Sequence, residues 1–206
     1  MLELKNIQIV LQDKDLFPSL SLSIKPGEVA TIMGPSGCGK STLLAAICGN
    51  LPEVFTLKGD ILLEQQSILE TPMENRKIGL LFQDDLLFPH MDIAGNLGFA
   101  IPAEISKQER KRRISNALTQ AGLTGLEKRD PSTLSGGQRA RVSLLRALLA
   151  EPKALLLDEP FSKMDQQLKG IIREFVFEQI RTMKIPTLLV THDPNDCPNG
   201  QRLDLI

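Results

Sequence analysis

Apolar and polar positions alternate near the N-terminus and give way to short apolar runs further along the chain. Leu20, Leu22 and Ile24 alternate with serines, which predicts a strand with one buried face. Val29–Met33 is mostly apolar and predicts a strand buried on both faces. Three later apolar runs end in polar residues: 78–82, 154–157 and 188–190. Because open α/β sheets bind ligands at the carboxyl ends of their strands, this pattern predicts a mostly parallel sheet with a site at that edge.

Apolar residues at helical spacing predict helices elsewhere. Lys40–Cys48 reads as a helix that a glycine closes. Ser106 and Glu109 form the ends of a capping box ahead of an apolar stripe made by Ile114, Ala117, Leu118 and Ala121. We therefore expect a helical lobe over residues 84–133, inserted between strands of the core. Asp165 is the expected N-cap of a later helix. The expected buried face of that helix holds Leu168, Ile171, Ile172 and Phe175.

The length of 206 residues and the formal net charge of −1 fit a single domain with an inserted lobe. The near-neutral balance gives no electrostatic argument for a nucleic-acid partner, and we expect none. A basic run at residues 107–113 allows a nucleic-acid patch or a solvated helix face. Because no aromatic residues interleave with it, the solvated face is favoured.

Membrane and export signals are not found in the sequence. No apolar run approaches the roughly 20 residues that a membrane span needs. The N-terminus MLELKNIQIV lacks the basic start and apolar block of a signal peptide. The three cysteines show no CxxC spacing, which argues against a disulfide framework. The sequence therefore predicts a soluble, cytoplasmic chain whose membrane role, if any, comes through a partner.

Residues 34–42, GPSGCGKST, match the phosphate-binding pattern G-x-x-x-x-G-K-[ST] between an apolar strand and a helix. Glycines let backbone N–H groups turn toward one anion, and the helix N-terminus adds partial positive charge. Lys40 would reach the β- and γ-phosphates, and the Ser41 hydroxyl would ligate Mg²⁺. The predicted ATP-binding residues are Gly34, Pro35, Ser36, Gly37, Cys38, Gly39, Lys40, Ser41 and Thr42. A bulky adduct on the Cys38 thiol would block the phosphates.

The run ALLLDEP supplies acidic groups that the phosphate loop lacks. Asp158 ends an apolar strand and would hold Mg²⁺, directly or through water, while Glu159 would polarise an attacking water. The alternative is a core strand that ends in a surface acidic pair. The phosphate loop in the same chain makes the catalytic interpretation the stronger one.

A second glycine pair opens another helix at LSGGQ. Its predicted functional residues are Ser135, Gly136, Gly137 and Gln138, and an apolar stripe of Val142, Leu145 and Leu149 follows. A serine hydroxyl and glycine N–H groups at a helix start can bind an anion. Because residues 34–42 already serve one nucleotide, this site fits the phosphate of a second copy, in a two-fold dimer. The residues alone equally permit a plain glycine helix cap.

Taken in order, GPSGCGKST, the glutamine of LLFQDD, LSGGQ, LLLDEP, SKMD and THD resemble the motifs of the nucleotide-binding subunit of ATP-binding cassette (ABC) transporters. The resemblance covers essentially the whole chain, and other P-loop NTPases lack LSGGQ. It implies an α/β fold: a P-loop NTPase (RecA-like) core with a mostly parallel sheet, an N-terminal antiparallel β region and an inserted α-helical lobe. It also implies ATP hydrolysis with ATP and Mg²⁺ as cofactors.

The resemblance implies catalytic roles for particular residues. Gln83 would touch Mg²⁺ and the attacking water. Asp158 would orient Mg²⁺ together with Ser41, and Glu159 would be the general base. His192 would contact the γ-phosphate, although a histidine satisfied by its neighbours at a strand end is the alternative.

The resemblance also implies partners. The chain would act as a homodimer, in which Ser135 and Gly137 contact the γ-phosphate of the opposite subunit's ATP and Asp165 crosses the interface. Two integral-membrane permease subunits would hold it on the cytoplasmic side of the inner membrane. Residues 82–101 are most similar to bacterial importer cassettes of the sulfate, iron(III), polyamine and thiamine group. That similarity implies a periplasmic or extracellular solute-binding protein as a further partner.

Four apolar residues in the same stretch are candidates for docking onto the membrane subunits: Leu86, Leu87, Phe88 and Met91. Docking requires them to form an exposed patch. The alternative is that they pack inside the lobe, and the sequence does not choose between the two.

The chain departs from the family pattern in three places. Leu11 stands where the family usually has an aromatic residue that stacks on adenine, and Phe17 is the only aromatic nearby. Lys163 and Met164 alter the SKMD loop. No C-terminal regulatory domain is expected after His192. The first two departures keep open the alternative of a regulatory cassette that hydrolyses weakly. A second alternative is a cassette ATPase without a membrane partner, because such ATPases share these motifs.

Overall fold

The computed structural model describes residues 1–162, 164 and 166–205, apart from the side chains of residues 167 and 168. The described residues form ten strands: β1 (Leu2–Leu11), β2 (Lys14–Asp15), β3 (Leu20–Ile24), β4 (Val29–Met33), β5 (Phe55–Leu63), β6 (Gln66–Ser67), β7 (Ile78–Leu81), β8 (Ala154–Asp158), β9 (Thr187–Thr191) and β10 (Arg202–Asp204). They also form five α-helices: α1 (Lys40–Cys48), α2 (Ile93–Ala100), α3 (Lys107–Gln120), α4 (Gly136–Leu149) and α5 (Gln166–Met183).

The strands make two sheets of different kinds. In the first sheet β1 pairs antiparallel with β2, β3 and β5, and β5 pairs with β6. The second sheet has the order β10-β4-β9-β8-β7, and its β10–β4, β4–β9 and β9–β8 pairs are parallel. Met33 lies opposite Thr191, and Asp158 lies opposite Val190, so β4, β8 and β9 end at one edge. The predicted parallel sheet and antiparallel N-terminal region are confirmed.

The chain divides into two compact units. The first consists of Met1–Leu80, Lys153–Glu159 and Phe177–Ile206, and the second of Leu81–Pro152 and Pro160–Val176. The first unit therefore holds α1 and the antiparallel sheet, with the parallel strands β4, β8, β9 and β10. The second holds α2, α3 and α4. The predicted lobe, residues 84–133, falls within the second unit, which also contains the LSGGQ helix.

The first unit has an apolar core that includes residues from both sheets and α1. A buried arginine, Arg76, lies within this unit and was not expected from the sequence. Its guanidinium donates to the carbonyls of Ala46 and Ile47 at the end of α1, at 3.0 and 2.9 Å, and to those of Leu69 and Thr71. A cation is favourable there because the carbonyl end of a helix carries partial negative charge. Arg76 therefore anchors the helix that follows the phosphate loop.

The second unit has its own core, built from the facing sides of α2, α3 and α4. Ser106 caps α3 as predicted, by accepting a hydrogen bond from the Glu109 N–H at 3.2 Å. The other half of the predicted capping box is wrong. The Glu109 carboxylate instead binds Arg112 and Arg113, which lower its pKa to about 2.

The buried face predicted for α5 is partly wrong. Ile172 is buried, but Ile171 is 63% exposed. Two adjacent helical residues point about 100° apart, so only one of them can lie at the centre of a buried stripe. Asp165, the predicted N-cap, and the Leu168 side chain lie outside the described part of the chain. Within the part of the chain that the structure describes, no helix combines the length and apolar character needed to cross a membrane.

Candidate functional site

The phosphate loop joins β4 to α1 and leaves the start of that helix open. The N-cap is Gly39, whose φ of 97° lies in the left-handed region that glycine adopts readily, and no side chain caps the helix. A Cβ on Gly39 would stand 3.0 Å from the ring of Phe17, so the loop also needs glycine for space. The N–H groups of the first turn are therefore free of side-chain acceptors and can bind an anion.

Lys40 is held inside the loop rather than extended into solvent. Its side chain is nearly buried, at 6% exposure, and Nζ donates to the carbonyls of Gly34 and Pro35 at 2.7 and 2.8 Å. The two carbonyls satisfy part of the hydrogen-bonding capacity of an ammonium that burial has taken from water. The positive charge is thereby fixed beside the backbone that would receive a phosphate.

A hydroxyl and a carboxylate meet at the start of α1. The Ser41 Oγ donates to Asp158 Oδ2 at 3.1 Å. Burial raises the pKa of Asp158 above its usual range, the hydrogen bond from Ser41 opposes that rise, and the neighbouring charge of Glu159 adds to it. Hard oxygen ligands of this kind suit Mg²⁺, which usually takes only one or two protein groups beside phosphates and waters. The two side chains therefore fit the predicted Mg²⁺ site.

Glu159 follows β8 in a strained backbone conformation. Its φ is 46°, which non-glycine residues rarely adopt, and its N–H donates to the carbonyl of Val190 at 2.9 Å. The carboxylate Oε2 lies 3.1 Å from His192 Nδ1, at the end of β9. His192 therefore has a defined partner, and the pair holds a carboxylate at the same sheet edge as Lys40 and Asp158. Such a carboxylate can accept a proton from water.

The aromatic residue near the phosphate loop does not offer a face to a nucleotide base. Phe17 is only 3% exposed and packs against Gly39. Leu11 is half-buried at the end of β1, where a tight turn through Gln12 and Asp13 leads into β2. Both turn residues have positive φ, at 48° and 65°, as a two-residue hairpin turn requires. Phe17 therefore packs against the phosphate loop, and almost none of its ring is exposed for stacking on a base.

The LSGGQ residues lie in the second unit and form a complete helix cap. The Gln138 N–H donates to Ser135 Oγ at 3.3 Å, and the Ser135 N–H donates to Gln138 Oε1 at 2.9 Å. Among the described residues, the N–H groups of Gly136 and Gly137 find no acceptor. The cap uses the oxygen of Ser135 as an acceptor, so its hydroxyl proton remains able to donate. A helix cap and an anion contact are therefore compatible here.

Gln83 lies in the second unit, exposed, two residues beyond β7. The next segment, residues 85 and 86, is hydrogen-bonded to α4 by contacts that the sequence did not predict. Asp85 accepts a hydrogen bond from Arg139, and the backbone carbonyls of residues 85 and 86 accept from Ser143 and Arg146. Polar residues spaced i, i+4 and i+7 on one face of α4 were the available signal, because they predict a second occupied face of the helix.

The candidate docking residues divide between the two expected alternatives. Leu86 is 54% exposed, whereas Leu87 packs against the core of the second unit. Phe88 and Met91 are half-buried. The Phe88 ring meets Phe99 edge to face, with centroids 4.9 Å apart, and Phe99 is 66% exposed. We call Leu86, Phe88 and Phe99 the apolar patch.

Each predicted site residue has a definite location except one. The first unit brings together Lys40, Ser41, Asp158, Glu159 and His192, and the second contains Gln83 and residues 135–138. Asp165, predicted to cross a dimer interface, lies outside the described residues.

Known proteins resemble this chain over most of its length. The family described as ABC transporter matches residues 5–162. The chain is 47% identical over 198 residues to a protein described as the uncharacterized ABC transporter ATP-binding protein YnjD of Escherichia coli K12, covering 96% of this chain and 91% of that protein. It is 40% identical to the Fe(3+) ions import ATP-binding protein FbpC of Mannheimia succiniciproducens, over 95% of this chain but 55% of that protein. The chain thus spans about half the length of this iron-import relative.

Solved structures share the fold. CbiO1 of Clostridium perfringens, described as part of the ABC transporter complex cbiONQ, superposes with a TM-score of 0.85 and 30% identity, covering 100% of this chain and 86% of that one. MJ0796, described as a bacterial ABC transporter cassette, is a dimer that superposes with a TM-score of 0.79 and 28% identity, covering 100% and 94% of the two chains. A second dimeric MJ0796 structure, described as a post-hydrolysis state bound to ADP and Pi, gives a TM-score of 0.80 and 28% identity, with the same coverage.

Proposed function

The chain belongs to the ABC transporter family of ATP-binding proteins, and we propose that it is the ATP-hydrolysing subunit of a membrane importer for a small solute. The observation that carries the proposal is the row of groups at one edge of the parallel sheet. Lys40 lies within the phosphate loop, Ser41 bonds Asp158, and Glu159 pairs with His192. This arrangement supplies the charge, the ligands and the proton acceptor that ATP hydrolysis needs.

Phosphate binding would rest on the backbone of residues 34–42. The uncapped N–H groups at the start of α1 would receive phosphate oxygens, and Lys40 would exchange its carbonyl partners for them. Ser41 and Asp158 would hold Mg²⁺, with Gln83 as a further predicted ligand. Mg²⁺ when bound would neutralise charge on the β- and γ-phosphate oxygens.

Glu159 would act as the general base on the attacking water. His192 lies within hydrogen-bond distance of its carboxylate and would orient it. The left-handed backbone at position 159 directs the chain sharply out of β8 and sets where that carboxylate lies. The two residues therefore form an acceptor and its positioning partner.

The LSGGQ helix supports the homodimer in this proposal. The exposed Gly136 N–H and the exposed Ser135 hydroxyl are available to a phosphate, although the helix caps itself and Gly137 is buried. An anion contact of that kind suits the γ-phosphate that a second copy binds through its own Lys40. The dimeric cassettes among the structural relatives agree with this arrangement.

The membrane partners would be two integral-membrane permease subunits, with the chain peripheral on their cytoplasmic side. The apolar patch supports docking, because Leu86 and Phe99 are exposed and Phe99 contacts the Phe88 ring. Importer names among the relatives, such as FbpC for Fe(3+) ions, support import and a solute-binding protein outside the membrane.

The experiment that tests the proposal is sedimentation of Glu159→Gln with Mg-ATP, beside the wild type and the apo protein. The substitution removes the base and keeps the size, so hydrolysis should fall roughly 100- to 10,000-fold while ATP stays bound. Bound ATP should then convert monomer to dimer. Lys40→Met in the same background is the control, and it should stay monomeric.

Three results would contradict parts of the proposal. Hydrolysis that survives in Glu159→Gln would remove Glu159 as the base. A monomer with ATP bound would remove LSGGQ as a contact for the partner's phosphate in the isolated chain. A wild type that binds ATP but barely turns over would instead favour a regulatory cassette.

A further inference from the structure

One arginine holds two segments that have different proposed roles. Arg139 Nε donates to the Asp85 carboxylate at 3.1 Å, and Arg139 Nη1 donates to the Leu134 carbonyl at 2.7 Å. Asp85 lies two residues after Gln83, and Leu134 lies directly before Ser135. The guanidinium therefore connects the segment that follows Gln83 to Leu134, the first residue of LSGGQ.

Two further side chains of α4 donate hydrogen bonds to the segment that follows Gln83. Ser143 Oγ donates to the Asp85 carbonyl at 2.9 Å. Arg146 donates to the Leu86 carbonyl at 2.9 Å. Positions 139, 143 and 146 lie on one face of a helix, so side chains along almost two turns of α4 hydrogen-bond to residues 85 and 86. We call Asp85, Arg139, Ser143 and Arg146 the α4 clamp.

The Asp85–Arg139 ion pair is better placed to couple the positions of Gln83 and LSGGQ than to stabilise the fold. The Asp85 and Arg139 side chains are both partly exposed, and such pairs contribute little to stability. They border a cavity of about 320 Å³ that is also lined by Gln83 and Gly136. The pair can therefore form or break without displacing packed atoms, and while it is formed it links the position of the Gln83 segment to that of LSGGQ.

We propose that Arg139 is a positioning residue that couples Gln83 to Ser135 and Gly137, and thereby couples the two ATP sites of the dimer. The inference rests on the proposed function, in which Gln83 serves the subunit's own ATP and LSGGQ contacts the partner's. A nucleotide that changes the position of Gln83 then changes the position of Ser135 and Gly137 through the α4 clamp. Such coupling acts equally in both directions.

The test is the dependence of the hydrolysis rate on ATP concentration, measured for the wild type, Arg139→Met, Asp85→Asn and the double variant. The wild type should be cooperative, with a Hill coefficient above 1. Loss of the bridge should bring it to 1 and lower kcat by roughly 2- to 30-fold. The dissociation constant for Mg-ATP, measured in the Glu159→Gln background, should not change. Both substitutions weaken the Asp85–Arg139 contact, and Arg139→Met also removes the hydrogen bond to Leu134, so the double variant should be no worse than Arg139→Met alone.

Matched variants separate coupling from general damage. Arg112→Met removes an exposed arginine that pairs with Glu109 in the same unit, and it should leave the Hill coefficient unchanged. Arg139→Lys keeps the charge beside Asp85 but cannot reproduce both hydrogen bonds, so it should restore cooperativity in part. If Arg139→Met does not fold, Asp85→Asn gives the same reading with α4 intact.

The outcomes distinguish this inference from the proposed function. A cooperative wild type with an unchanged Hill coefficient in Arg139→Met and Asp85→Asn overturns the inference alone. A wild type with a Hill coefficient of 1 overturns it as well. A Glu159→Gln protein that binds ATP but forms no dimer overturns the homodimer on which the inference rests.

Discussion

Two helices of this protein begin at glycine-rich loops, and they begin in different ways. Helix α1 starts after Gly39, which is left-handed, and no side chain caps it. Helix α4 starts after Ser135, which is extended, and a complete capping box with Gln138 closes its first turn. The first start depends on groups from elsewhere to satisfy its N–H donors, whereas the second satisfies part of its own needs.

The difference indicates what each helix start can bind. The start of α1 offers several backbone donors next to the Lys40 ammonium. These groups are sufficient to bind an anion without help from a second site. The start of α4 can offer the Ser135 hydroxyl proton and the N–H group of Gly136, both of which are exposed, whereas Gly137 is buried. Those groups suit an anion that another site already holds. The capped helix is therefore the better candidate for contacting a partner's phosphate.

The strongest way to break this comparison is to obstruct the open helix start. The Cys38 Sγ lies against Gly34, 2.6 Å from where a Cβ on that glycine would stand, so an alkyl adduct on this thiol would lie within the loop that receives the phosphates. We expect alkylation of Cys38 to abolish ATP binding, measured with a fluorescent nucleotide after mass spectrometry confirms the adduct. Cys38→Ser treated in the same way is the control and should still bind. ATP binding by the fully modified protein would disprove the prediction.

A weaker perturbation compares one glycine from each helix start. Gly39→Ala forces a side chain into a φ of 97° and against Phe17, so we expect a loss of about 1–2 kcal/mol in the free energy of unfolding and weaker ATP binding. Gly136→Ala meets no atom closer than 3.8 Å and should change that free energy by less than about 0.5 kcal/mol. Urea denaturation measures both. Equal destabilisation would show that the two starts have the same backbone requirement.

The smallest expected effect separates the two roles of Ser135. Ser135→Ala should cost about 1 kcal/mol of stability because alanine cannot cap, whereas Ser135→Gly should cost only a few tenths. Both variants lose the hydroxyl. If that hydroxyl contacts a phosphate, hydrolysis should fall equally in both, measured as kcat beside thermal unfolding. If kcat instead falls more in Ser135→Ala than in Ser135→Gly, in parallel with stability, Ser135 acts only as a helix cap.

The elements that local pattern specifies were predictable. Helix α1 has the predicted bounds, Lys40–Cys48, because a glycine loop precedes it and a glycine closes it. The strand ends at Asp158 and Thr191 follow from short apolar runs that stop at polar residues. These signals lie within a few residues of the structure they specify, so the sequence alone carries them.

Contacts between distant positions were not predictable in this way. Arg139 and Asp85 are 54 positions apart, and Arg76 reaches a helix end 30 positions earlier. Nothing near either arginine indicates which carbonyls it will meet. The burial of Phe17 has the same origin, since its neighbour Gly39 belongs to another element. For Ile171 the difficulty was local, because two adjacent apolar residues leave the rotation of a helix ambiguous.

Glu159 joins the proposed general base to a backbone that disfavours it. At a φ of 46° a glutamate costs on the order of 1–3 kcal/mol, and glycine would relieve that strain. A laboratory selection for thermal stability would therefore enrich Glu159→Gly. The selected proteins would be more stable but inactive, because they lack the proposed general base. At this one position, selection for durability and selection for turnover favour opposite residues.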